Sequence, residues 1–107
     1  PQRIDVYRRL AQISEIKDIK PLEAELRDRY GPLPQGIELL FETTRLKILA
    51  SNRRVSVIET RGPKLMLTRK GDYVMHAGKF PRLSKKDPKA RLNEIRKMIM
   101  VHPPEAR

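Results

Sequence analysis

The chain of 107 residues contains no cysteine. This absence excludes a disulfide framework, a thiolate metal site and a cysteine nucleophile, and it fits a reducing cytoplasm. No apolar run approaches the roughly 18 residues that a membrane helix needs, and no signal peptide is visible. Because the chain begins at Pro1 without a methionine, we expect it to be a fragment of a longer multidomain protein.

Signatures of catalysis are also scarce. None of the five glycines belongs to a phosphate-binding loop of the form G-x-x-x-x-G-K-[ST]. His76 and His102 lie far apart, and neither has a second histidine or a carboxylate at metal-ligand spacing. Glu25 and Asp28 share a helix face, but the arginines beside them favour a solvated ion-pair face over acid–base catalysis. We therefore predict no catalytic residue, no metal site and no cofactor in this part of the protein.

Apolar residues at helical spacing dominate the first half of the chain and predict three helices. The first covers residues 4–11. The second starts at Pro21, after a short turn at 14–19, because proline is well tolerated only in a first turn. The third runs over residues 34–52, with Asn52 ending it in a left-handed conformation. The apolar stripe of the first helix is expected to contain Ile4, Tyr7, Leu10 and Ala11. A second stripe, which Pro21 interrupts and which spans the turn and the second helix, contains Ile16, Ile19, Leu22, Leu26 and Tyr30.

Residues 25–34 read E-L-R-D-R-Y-G-P-L-P and predict a sharp corner between the second and third helices. Gly31 can adopt the left-handed conformation that closes a helix after Tyr30, and Pro32 cannot continue that helix. Pro34 suits the first position of the next helix, where its missing N–H costs nothing.

After the third helix, the apolar residues change from helical spacing to the shorter spacing of β-strands, which indicates a small antiparallel meander. Strands are predicted around residues 55–58, 65–67 and 73–77, with turns at 61–64 and 70–72. We expect His76 to be an ordinary histidine on the third strand.

A last helix is predicted to begin with Asp87 as N-cap and Pro88 as first residue, and to stop at His102-Pro103-Pro104. The fold class is therefore α+β, with three N-terminal helices, a small antiparallel meander and a C-terminal helix. At this length we predict one domain, made of a helical part (1–52), a small sheet (53–77) and a basic loop with the last helix (78–107). The buried face of the last helix is expected to contain Leu92, Ile95, Met98 and Ile99.

The net charge of +11 is concentrated in the second half. Residues 1–50 carry a net charge of +1, residues 51–78 of +4 and residues 79–107 of +6. Such asymmetry suggests an anionic partner, either nucleic acid or an acidic protein surface. A solvated basic face and a nucleic-acid site both remain open, since Phe80 is the only aromatic residue available there for base stacking. The candidate anion-binding residues are Lys79, Arg82, Lys85, Lys86, Lys89 and Arg96.

The corner sequence also resembles a known family, the C-terminal domain of bacterial transcription-repair coupling factors. The resemblance covers about residues 3–60 and is most specific in the run Asp28-Arg29-Tyr30-Gly31-Pro32-Leu33-Pro34. It fades beyond about residue 70. Further similarity lies in Tyr7-Arg8-Arg9-Leu10-Ala11, Ser14-Glu15, Glu25-Leu26, Thr44-Arg45-Leu46 and Ala50.

The resemblance implies that the parent protein is a cytoplasmic bacterial DNA translocase whose motor uses ATP and magnesium, displaces stalled RNA polymerase and recruits nucleotide excision repair. It implies that this domain is non-catalytic and regulatory. In the family the domain docks on an N-terminal repair-recruitment module of the same polypeptide and masks the surface that binds a UvrA-type subunit. Carried over by motif, the docking residues are Glu25 and Asp28, with Arg29 beside them. The alternative function is a basic nucleic-acid-binding module using residues 79–97.

Overall fold

The computed structural model describes residues 2–101, with side chains from residue 4 onward. Four helices and a three-stranded antiparallel sheet confirm the predicted α+β class. By its internal contacts the chain divides into two compact units, Pro1–Ile48 and Leu49–Arg107, called here the first and second units. That the whole chain is one domain with the three predicted parts stays a prediction. The elements are α1 (Gln2–Ala11), α2 (Ile19–Tyr30), α3 (Gln35–Asn52), β1 (Val55–Arg61), β2 (Lys64–Arg69), β3 (Asp72–Tyr73) and α4 (Pro88–Val101).

The core of the first unit is built from apolar residues three or four apart on α1, α2 and α3. Phe41 lies within it with no exposed surface, so it contributes the largest buried side chain. Burial of this kind stabilises a fold by about 1.5–3 kcal/mol for each large side chain. The buried members are Val6, Leu10, Ile19, Leu22, Leu26, Leu33, Ile37, Phe41 and Ile48.

The face that α1 buries differs from the prediction. Val6 and Leu10 are buried, whereas Ile4 is 56% exposed and Tyr7 is 51% exposed. Ala11 is exposed as well. The short helix carries apolar residues on two overlapping stripes, and packing against the core selects the pair at spacing i, i+4.

The second helix begins two residues earlier than predicted, so Pro21 is its third residue and still lies in the first turn. A short 3-10 turn, Ile16–Asp18, precedes it. Ile19, Leu22 and Leu26 are buried as predicted. Ile16 lies in the turn before the helix, as predicted, but it is 43% exposed, and Tyr30 is 37% exposed.

The corner after α2 is present, with one important difference at Gly31. Its N–H donates to the Arg27 carbonyl at 2.8 Å, which closes the helix. Its φ of 80° confirms the predicted positive value, but its ψ of −158° lies outside the left-handed helical region. This combination is accessible almost only to glycine. Pro34 directly precedes α3, and its carbonyl accepts from the N–H groups of Ile37 and Glu38 at 3.0 Å.

α3 ends at Asn52 as predicted, but the residue with positive φ is not Asn52. Asn52 remains helical, and Arg54 adopts the positive φ, 64°, before β1 begins. The positive φ therefore lies two residues beyond the end of the helix, in the turn that leads into the first strand.

The second unit contains the sheet, in the order β1-β2-β3. The hairpin between β1 and β2 turns at Gly62, with φ of 57°, as the sequence predicted. The third strand is shorter than predicted, only Asp72–Tyr73. His76 therefore lies outside it, in an isolated bridge with Lys79, because the chain reverses at Ala77 and Gly78, both with positive φ.

The last helix starts as predicted. The Asp87 carboxylate accepts from the Ala90 N–H at 3.1 Å, which is the expected N-cap bond. Ile95 and Ile99 are buried and Leu92 and Met98 half-buried. The predicted stop at His102-Pro103-Pro104 lies outside the described residues. Between residues 2 and 101, no helix is both long and apolar enough to cross a membrane.

Candidate functional site

The first candidate surface is the exposed side of α2 that carries Glu25 and Asp28. Glu25 already has a partner, since the two terminal nitrogens of the Arg9 guanidinium, Nη1 and Nη2, donate to its carboxylate, with 3.0 Å between Nη2 and Oε1. The hydrogen bonds from Arg9 hold the pKa of Glu25 below its ordinary value, and the same bonds raise the pKa of Arg9. The Glu25 side chain nevertheless remains 48% exposed. An external guanidinium would therefore have to share this carboxylate with Arg9.

Asp28 offers the opposite situation. Its side chain is exposed, and within residues 4–101 no hydrogen bond or ion pair to its carboxylate is found. Arg29, next in sequence, lies with its guanidinium carbon 5.5 Å from the centre of the Tyr30 ring, a cation–π arrangement. Of the three predicted docking residues, Asp28 alone thus presents unused acceptor oxygens.

An ionic network that the sequence analysis missed joins α2 to α3. Arg45 lies 2.8 Å from Glu23 and 2.8 Å from Glu42, while Arg27 lies 3.4 Å from Glu23. Partial burial alone would raise the pKa of Glu23, but the hydrogen bonds from Arg45 and Arg27 outweigh it and lower that pKa. The i, i+4 spacing of Glu23 and Arg27 could have indicated one link. The Arg45–Glu23 link joins residues 22 apart, so only the fold reveals it.

The corner itself borders a small apolar hollow of about 190 Å³. Its walls come from the corner residues and from the helices that meet there. Tyr30, Pro32 and Pro34, which sequence reasoning treated as structural, thus also line a concave surface. The lining residues are Val6, Leu26, Tyr30, Pro32, Leu33, Pro34 and Ile37.

The second candidate surface lies in the second unit and is basic. One carboxylate organises it, because Glu94 of α4 accepts from the backbone N–H groups of Ser84 and Lys85 at 2.9 and 2.7 Å and from the Ser84 hydroxyl at 2.8 Å. The two backbone hydrogen bonds lower the pKa of Glu94 below its ordinary value. Glu94 thus fastens the basic loop to the last helix, a link that the sequence analysis did not predict.

The predicted cations of this surface are all exposed, and none of them forms an ion pair with a carboxylate among the described residues. Two neighbouring cations form contacts within the second unit instead. Arg91 donates to the Gly62 carbonyl at 2.7 Å, and the Lys64 ammonium lies 5.1 Å from the centre of the Phe80 ring. The exposed members are Lys79, Arg82, Lys85, Lys86, Lys89 and Arg96.

No group of three or more histidine, cysteine or acidic side chains that could hold a metal ion is present in the part of the chain that the structure describes. The predictions of no catalytic residue and no cofactor stay predictions.

Comparison with known proteins gives concordant matches. The family model described as the TRCF domain matches residues 1–77. The transcription-repair-coupling factor of Bacillus subtilis (strain 168) is 33% identical over 67 residues, 63% of this chain and 6% of the relative. The transcription-repair-coupling factor of Myxococcus xanthus is 35% identical over 78 residues, 73% of this chain and 6% of the relative. This chain therefore spans a small fraction of the length of these relatives. No solved structure matched it significantly.

Proposed function

Because this chain belongs to the TRCF domain family, we propose that it is the regulatory C-terminal domain of a transcription-repair coupling factor. The parent protein would be a cytoplasmic, ATP-driven DNA translocase that displaces stalled RNA polymerase and recruits nucleotide excision repair. The domain itself would catalyse no reaction, with ATP and magnesium acting at the motor elsewhere in the polypeptide.

In this proposal the acidic side of α2 docks on the N-terminal repair-recruitment module of the same polypeptide and masks its binding surface for a UvrA-type subunit. The observation that supports it best is Asp28, an exposed carboxylate on the helix that carries the family motif, for which no partner is found among the described residues. A carboxylate in that state can accept charge-assisted hydrogen bonds from a partner arginine without first losing an existing bond.

Glu25 would contribute differently. Arg9 already binds it through two nitrogens, so a partner arginine must share or displace an existing ion pair. Exchange of one exposed pair for another yields little net free energy. We therefore expect Asp28 to dominate the affinity and Glu25 to contribute mainly charge complementarity, which acts on the association rate.

The test is titration of the chain against the separately purified remainder of its parent. Asp28→Lys should weaken docking by at least about tenfold, since it replaces an acceptor with a like charge facing the partner's cations. Glu25→Lys should weaken it less. The double variant Glu25→Lys/Asp28→Lys should also increase binding of the UvrA-type subunit to the mixture of this chain and the remainder of its parent, because the masked surface becomes available.

Glu59→Lys/Asp72→Lys is the matched control, since it makes the same change in net charge at two exposed residues of the second unit. It should leave docking unchanged. Equal loss in the control and in Glu25→Lys/Asp28→Lys would mean that net charge alone governs the association. Unchanged docking in Asp28→Lys would refute the acidic docking face.

A further inference from the structure

We infer that the second unit carries a separate binding surface for the phosphodiester backbone of duplex nucleic acid, formed jointly by the loop before α4 and one exposed side of α4. This surface follows the residues that the TRCF family model matches, which end at residue 77. It does not depend on the docking role proposed above.

The positive charge of this surface is not neutralised by any residue of the described chain. Residues 79–101 contain eight lysines and arginines against two acidic residues, Asp87 and Glu94. Both carboxylates are used internally, Asp87 by the Ala90 N–H and Glu94 by Ser84 and Lys85. All ion pairs found among the described residues lie between residues 9 and 45, far from this segment in sequence. The positive charge is therefore available to an external anion.

The loop that carries part of this charge is fixed to α4, which carries the rest. Glu94 fixes the backbone at Ser84 and Lys85 against α4 with hydrogen bonds of 2.9 and 2.7 Å. On α4, Lys89 and Arg96 are seven residues apart and so project from the same side of the helix. Their Cα atoms are about 10 Å apart along the helix axis, which is comparable with the rise of three phosphates of one strand along the axis of the duplex. Lys85 and Lys86 lie in the loop that Glu94 fixes against α4 and add two more cations beside the helix.

Arg96 is also oriented by a neighbour. Its Nε and Nη2 donate to the Asn93 amide oxygen at 3.2 and 2.8 Å. Asn93 lies between Lys89 and Arg96 on the exposed side of α4. The remaining guanidinium nitrogen, Nη1, is left to bind a phosphate oxygen, which arginine does well because of its planar donor geometry.

Phe80 is the only aromatic residue within residues 79–101, so this segment offers little for stacking bases, which favours a duplex over a single strand. Phe80 is half-buried, and its ring packs edge-on against Tyr73 at 5.2 Å between centroids and lies under the Lys64 ammonium at 5.1 Å. A half-buried ring with these contacts is a poor platform for base stacking. Contacts restricted to phosphates also predict no sequence preference.

The experiment measures binding of the chain to a labelled duplex of about 20 base pairs by fluorescence anisotropy across a salt series. With four phosphates contacted, the slope of log K against log salt should be about −3.6, so affinity should fall about a hundredfold between about 50 and 200 mM salt. A single strand of the same length should bind more weakly, and scrambling the duplex sequence should change nothing.

Two variants probe the surface, Lys85→Ala/Lys86→Ala in the loop and Lys89→Ala/Arg96→Ala in the helix. Each should make the slope less negative by about 1.8. The control, Lys20→Ala/Lys47→Ala, removes the same charge from two exposed lysines of the first unit and should leave the slope unchanged. A slope change of the same size in the control would overturn the proposal, because binding would then follow net charge. So would binding to a polyglutamate peptide that competes fully with the duplex, which would mark an acidic protein as the partner.

Glu94→Ala distinguishes a fixed surface from a diffuse one. It removes a negative charge, so simple electrostatics predicts tighter binding. If Glu94 holds the loop in place, binding should weaken several-fold, with helix content by circular dichroism unchanged. Tighter binding in Glu94→Ala would refute the fixed arrangement of the loop and helix cations.

Discussion

Gly31 provides a stringent test of the corner between α2 and α3. Its φ of 80° and ψ of −158° place it in a region that side chains other than hydrogen occupy only with strain. A Cβ built on Gly31 would meet no atom within 4 Å, so a steric clash with neighbouring residues does not contribute. Gly31→Ala should therefore lower the free energy of unfolding through backbone strain alone, by about 1–3 kcal/mol. Gly31→Val should cost at least as much, because its branched Cβ restricts the backbone further.

The asparagine variant distinguishes this geometry from an ordinary left-handed helix cap. Asparagine tolerates the left-handed helical region, so Gly31→Asn would be nearly neutral if the residue lay there. With the observed ψ, we expect Gly31→Asn to destabilise the protein about as much as Gly31→Ala. Gly36→Ala is the matched control, because Gly36 is the second residue of α3 and its added Cβ also meets nothing within 4 Å. That change should stabilise by up to about 1 kcal/mol, since alanine favours helix.

Thermal and urea denaturation followed by circular dichroism measure these differences. Each kcal/mol should shift the melting temperature by about 4–8 °C in a domain of this size. Gly31→Ala and Gly31→Asn should therefore both melt several degrees below the parent, and Gly36→Ala slightly above it. A Gly31→Asn variant as stable as the parent would refute the assigned backbone geometry. Gly31→Ala with no loss of stability would refute the corner itself.

Two further predictions concern pH and catalysis. Glu23, Glu25 and Glu94 have pKa values below the ordinary 4.5 in the folded protein, so the unfolded chain binds protons first as pH falls. Their contribution to stability should be fully present above about pH 4.5 and lost progressively below it, and Glu23→Gln should reduce the slope of melting temperature against pH in that range. The purified chain should hydrolyse no ATP, because it has no phosphate-binding loop; turnover that persists at constant specific activity through a second purification step would contradict this.

Local signals in the sequence determined much of this fold. The α+β class, the four helices, the hairpin at Gly62 and the N-cap at Asp87 all followed from apolar spacing and from turn and capping residues. These features depend on residues within a few positions of one another, so their physical cause is visible in the chain itself. The corner after Tyr30 was predictable for the same reason, although the ψ of Gly31 was not, since it depends on where Pro32 and Leu33 must lead.

Only the tertiary structure decided which face of α1 is buried, because Val6 and Tyr7 are both apolar enough and the core selects between them. It also decided which charges are available. Arg9 forms an ion pair with Glu25, 16 residues away in sequence, whereas Asp28 stays exposed. Glu94 binds a loop that lies ten residues earlier in the chain. A sequence gives the sign and approximate position of each charge. Whether that charge is neutralised depends on which distant side chains folding brings within hydrogen-bonding distance, and that is a property of the packed chain.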